Sequence, residues 1–159
     1  MHLRRSKAAQ VVIGGLVGVA LSAALAGCSA GADMTGSVPH QVRAWAAGSG
    51  MASVDASLGS TASAITAAVS SGNLDGLRAA CTSLGSQVAR ADGFLPTPDQ
   101  QLTNDVSLAY AHFYDAAHGC LNEKHSIASG AYRPFVSDLR LAHQALVKAQ
   151  ARELALVGP

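Results

Sequence analysis

Apolar positions recur at helical spacing through most of the chain. Val54, Leu58, Thr61, Ile65 and Ala68 step by four and three, and so do Leu74, Leu77, Cys81, Leu84 and Val88. Leu102, Val106, Ala109, Phe113, Ala116 and Cys120 make a third stripe, and Phe135, Leu139, Ala142, Leu146 and Ala149 make a fourth. Such spacing puts one apolar seam on each helix, to be buried against its neighbours. No convincing run of alternating apolar and polar residues argues for a sheet. The pattern predicts an all-α domain over residues 39–159, an antiparallel four-helix bundle.

Turn and cap residues fall between the stripes. Gly48-Ser49-Gly50 separates a short leading helix around Val42 and Trp45 from the first long one. Gly72 suits a left-handed cap and Asn73 the start of the next helix, so the joint is a tight antiparallel hairpin. Asp92-Gly93 ends the second long helix. In Thr97-Pro98-Asp99-Gln100, Thr97 is expected to cap the third helix, with Pro98 at its first position and Gln100 reaching back. Pro134 would clash with the carbonyl of Gly130, which predicts a kink there or a helix that starts at Pro134.

The first residues have another character. Arg4, Arg5 and Lys7 precede a stretch from Ala8 to Ala26 without a charge, closed by Leu25-Ala26-Gly27-Cys28. A basic start, an uncharged apolar stretch and small residues before a cut site make a secretory signal. Leu-Ala-Gly-Cys resembles the lipobox of bacterial lipoproteins. That resemblance implies that Cys28 takes a diacylglycerol and becomes the first residue after cleavage, with residues 1–27 removed. An uncleaved transmembrane helix is the alternative, but Gly14, Gly15 and Gly18 soften the stretch and its alanines drive insertion weakly. Arg4-Arg5 also admits a twin-arginine route, although adjacent arginines are common in basic leaders. Residues 28–38 read as a flexible tether lifting the domain off the lipid surface. Two or three acyl chains, at about 0.8 kcal/mol per buried CH₂, make such an anchor durable.

Export changes the meaning of the cysteines. Cys81 and Cys120 remain as an even pair in an oxidising compartment, which favours a disulfide over two free thiols. Cys81 lies 11 residues before Asp92, about 16 Å of helix, and Cys120 lies 22 residues after Pro98, about 33 Å. The sulfurs can meet only if the connection makes up the difference. Residues 93–97 are therefore expected to run extended along the third helix, with Phe94 or Leu95 packed inward.

Charge and composition narrow the function. Cleavage removes three of 11 basic residues and none of 10 acids, so the remaining chain is slightly acidic and offers no electrostatic case for nucleic acid. Aromatics make up only 4% of residues, too few for base-stacking surfaces. Common catalytic signatures are missing, and Gly48-Ser49-Gly50 has Ser53 where a dinucleotide fingerprint needs its third glycine. The most chemical stretch runs from Tyr110 through His112, Tyr114 and Asp115 to His118. Tyr114 and His118 are candidate ligands for haem or another small apolar molecule, and Asp115 with His118 for a divalent metal. Packed rings with wet polar tips at a seam edge are the simpler account, and no resident metal or cofactor is expected. Trp45 is expected to pin the short helix to the core, with a partner-facing anchor as the alternative.

The whole layout resembles a group of small actinobacterial lipoproteins and secreted helical proteins without assigned activity. The resemblance rests on Trp45 followed by Gly50, Cys81 in the second long helix, Pro96-Thr97-Pro98-Asp99, and Cys120 ending the third. It covers roughly residues 42–150. It implies an envelope protein, bound to the lipid bilayer through Cys28 on the extracytoplasmic face. Its expected role is structural, or binding to an envelope protein partner, rather than catalytic. A surface carrier of haem or another apolar ligand is the alternative.

Overall fold

A computed structural model describes residues 36–122 and 133–158. The expected leader, Cys28 and most of the tether lie outside the described residues, as does Gly130. The described residues form five helices and no strand: α1 Val38–Ser49, α2 Met51–Ser71, α3 Leu74–Asp92, α4 Gln100–Asn122 and α5 Arg133–Val157. None of these helices is long and apolar enough to cross a membrane.

The joints follow from local chemistry. Gly50 takes the left-handed conformation (φ 63°), ends α1 with its N–H on the Ala46 carbonyl, and opens α2. Gly72 does the same for α2 (φ 71°), and the Asn73 N–H donates to the Ala68 carbonyl at 3.0 Å. A side chain at either glycine would strain this backbone. Asn73 then caps α3, its Oδ1 accepting from the Gly76 N–H at 2.9 Å. Helix α5 begins at Arg133 and carries Pro134 in its first turn, where the missing N–H costs nothing.

The start of α4 differs from expectation. Its cap is Asp99 rather than Thr97: Asp99 Oδ1 accepts from the Leu102 N–H at 2.8 Å, and the Thr103 N–H donates to the Asp99 carbonyl at 2.9 Å. Thr97 is buried just outside the helix. Its N–H donates to Thr103 Oγ1 at 2.9 Å and its hydroxyl to the Asp99 carbonyl at 2.7 Å. Gln100, now the first helical residue, bonds forward to Asn104 instead of back.

The α3–α4 connection opens with a turn rather than an extended run. Gly93 keeps helical dihedrals (φ −64°, ψ −11°), and the Phe94 and Leu95 N–H groups donate to the Ala91 and Asp92 carbonyls at 3.1 Å. The last carbonyls of α3 have no partner within the helix and capture these donors, which an extended chain would leave to water. Leu95 packs against the core, while Phe94 is exposed. Cys81 and Cys120 are bridged, with Cα atoms 6.3 Å apart and both side chains buried.

The buried seams are those of the stripes, with few exceptions. Leu58, Ile65, Leu84, Leu102, Val106, Phe113 and Phe135 are almost fully enclosed. Leu74 is exposed instead, because the first residue of α3 projects beyond the seam. Tyr110 and Met51 are buried although no stripe contained them. Helix α4 packs between α3 and α5, and α3 between α2 and α4, while α2 touches α5 only sparingly. Helix α1 lies against α5 and α2. Trp45 fixes it from below, its Nε1–H donating to the Phe94 carbonyl at 2.8 Å, and Arg43 donates to the Val157 carbonyl.

Candidate functional site

The sparing contact between α2 and α5 leaves a cleft of about 1220 Å³. Its α2 wall is built from Ala52, Ala56, Gly59, Ser63, Thr66 and Ser70, a stripe with spacings of four and three. The long side chains of α2, Leu58 and Ile65, are fully buried on its core side. The short ones do not reach across to α5, so the facing surface lacks packing partners. Phe113, Leu139 and Leu146, nearly buried, form the floor, and Val136 and Val147 rise from α5 as an exposed apolar rim.

A hydrogen bond from Gln150 Nε2 to Asp55 Oδ2, 3.2 Å long, fixes the register of the two walls. The start of α2 thus lies beside the end of α5. The cleft runs from Met51 and Glu153 to Ser70 and Val136, about 27 Å at 1.5 Å per residue.

Its two ends differ in charge. Asp55 and Glu153 stand at one end, while Arg140 and His143 lie further along α5. Asp55 Oδ1 is buried without a hydrogen-bond partner, and the neutral Gln150 amide is what reaches Oδ2. Burial pushes the Asp55 carboxyl above its ordinary range, with the Gln150 bond pulling weakly the other way. Burial also raises Glu153, and the negative charge of Asp55 adds to the effect. Tyr110 beneath them is pushed up by burial, then by the charges of Asp55 and Asp92, and its hydroxyl donates to Met51 Sδ at 3.5 Å. The nearby arginine of α5 is committed elsewhere: Arg152 grips Asp99 with two bonds of 2.8 and 3.0 Å, holding that carboxyl below its ordinary range.

Tyr114 and His118 come together, but not at the cleft. Their ring centroids are 4.1 Å apart with planes inclined by 41°, and both side chains are exposed on α4. Tyr110, four residues before Tyr114, is buried. Positions four apart advance about 40° around a helix, so the series Tyr110, Tyr114, His118 climbs out of the core. Asp115 is exposed beside them, and among the described residues no group of three or more His, Cys, Asp and Glu could hold a metal ion.

No protein-family model, curated protein or solved structure matches this chain. The site therefore has to be read from its own geometry.

Sequence reasoning missed the cleft residues Asp55, Gln150 and Glu153. A signal was present in the second stripe of α2, where Ala52, Ala56, Gly59, Ser63, Thr66 and Ser70 repeat as regularly as the bulky seam. Small residues at that spacing mark a helix face that does not fill the space beside it.

Proposed function

We propose that this chain is an exported lipoprotein, held on the extracytoplasmic face of a cell membrane through acylated Cys28, whose helical domain binds an apolar ligand in the α2–α5 cleft. The domain is read as an antiparallel four-helix bundle of α2 to α5, with α1 laid over one end. The two-residue α2–α3 joint and the Asp55–Gln150 and Asp99–Arg152 contacts support that arrangement. The basic, uncharged and small-residue pattern before Cys28 supports export, as does a buried disulfide, which persists in oxidising compartments. The likeness to small actinobacterial helical lipoproteins supports the same placement.

The observation that carries the binding role is the cleft: about 1220 Å³ with an apolar floor, slightly above the common range for ligand sites. Two measurements test the reading. Wild-type chain should fractionate with membranes, and Cys28→Ala should accumulate as an uncut precursor, as should wild type under globomycin. Unaltered processing and retention in Cys28→Ala refutes the anchor. Purified protein should enhance Nile red fluorescence, and Gly59→Leu should lower that enhancement several-fold. No enhancement, or none lost in Gly59→Leu, removes the cleft as the site.

A further inference from the structure

We propose that the α2–α5 cleft takes an amphiphile with one extended aliphatic chain and a protonated amine head, the chain lying along the small-residue wall of α2 and the head between Asp55 and Glu153. This rests on the cleft being a binding site and names its ligand class.

Shape selects the tail. The cleft is long, about 27 Å, and lies between two roughly parallel walls, a shape that suits a chain laid along it. An extended chain fits between the walls. The alanines and Gly59 of α2 offer close approach on one side, and Leu139 and Leu146 offer apolar contact below.

Charge selects the head. A carboxylate withdrawn from water is costly unless a counter-charge or several donors reach it. Asp55 has the Gln150 amide on one oxygen and nothing on the other. Glu153, one turn beyond Gln150 on α5, adds a second negative group to the same end. Among the described residues no ion pair reaches either acid, and Arg152 is turned to Asp99. Arg140 and His143 lie about 20 and 15 Å back along α5 from Glu153, and about 15 and 10 Å from the level of Gln150 and Asp55, and neither forms an ion pair with the two acids. A small ammonium brings the full positive charge that this end lacks, with three donors for whichever carboxylate oxygens face the cleft. A carboxylate or phosphate head would meet like charge there.

Calorimetric titration of the processed full-length domain with dodecylamine, dodecanol and dodecanoate, each below its aggregation threshold, tests the assignment. At neutral pH the ammonium form should bind at least tenfold more tightly than dodecanol, and dodecanoate more weakly than either. Asp55→Asn, which keeps an acceptor for Gln150, should abolish the tenfold preference while leaving dodecanol binding in place. Glu153→Gln repeats the test from the other wall. Gly59→Leu, whose added Cβ meets nothing within 4 Å, should weaken all three ligands by filling the cleft. Equal affinity for amine and alcohol, or a preference that survives both acid substitutions, overturns the head assignment and leaves the cleft reading standing. Binding of none of the three overturns both.

Discussion

Two aspartates show how differently one side-chain type behaves at two positions. Asp99 has donors on both oxygens, from the Leu102 N–H and from the planar fork of Arg152. Its carboxyl is held below the ordinary 3.8, so its contribution is complete above that value and fades as pH falls through the lower folded one. Asp99→Ala is expected to cost about 1–2 kcal/mol in urea unfolding, the usual range for a lost cap, while Asp99→Asn keeps the cap and costs less than half as much. The gap between wild type and Asp99→Ala should narrow in acid. Asp55 has the opposite sign. Burial raises its carboxyl, so the folded protein holds the proton longer than the unfolded chain, and stability declines as pH rises from about 4 through the raised value. Glu153 adds a decline of the same sign. Asp55→Asn should therefore melt higher than wild type at pH 7 and no differently at pH 3, which thermal unfolding at the two pH values checks. A group that lowers stability where it stands, on the wall of a cleft, is a candidate for function rather than for folding.

At the scale of elements, the disulfide is the largest single local contribution. It closes a loop of 39 residues between α3 and α4, worth about 4 kcal/mol in the chain-entropy account. Urea unfolding followed by Trp45, the only tryptophan and 8% exposed, should show a loss of that order in Cys81→Ala/Cys120→Ala. Because both sulfurs are buried, a thiol reductant should leave the bridge intact in native buffer and cleave it in denaturant, read by alkylation and mass. The helices were legible because each is written in neighbouring residues: a seam repeating every three or four positions, Gly72 to stop α2, Asn73 to start α3. The start of α4 was not. Thr97 and Asp99 are both good caps two positions apart. Arg152, 53 residues away on α5, holds Asp99, while Thr103 takes the Thr97 N–H. The α3–α4 connection failed for a related reason, since an estimate of reach says nothing about which carbonyls wait for donors at the end of α3.

On the scale of the whole molecule, the cleft is the feature that no stretch of sequence displays. Its walls come from the first and last long helices, and its floor includes Phe113 of α4. Tyr114 and His118 drew attention because their chemistry is visible in a short window, yet they lie on an exposed helix face and do not line the cleft. Nothing in its own stretch of sequence marks Asp55, whose burial comes from packing against α5. The stripe from Ala52 to Ser70 gains its meaning only from the wall it faces. By itself the sequence determined the all-helical class, most of the buried seam, the hairpin between α2 and α3 and the availability of the cysteine pair, because periodicity, backbone preference and thiol chemistry are properties of a few residues at a time. The tertiary structure alone decided which residue caps α4, that α2 and α5 stand apart, and that two carboxylates line one end of the gap. Those outcomes depend on residues about fifty to a hundred positions apart arriving side by side, and on side chains too short to close the distance once they do.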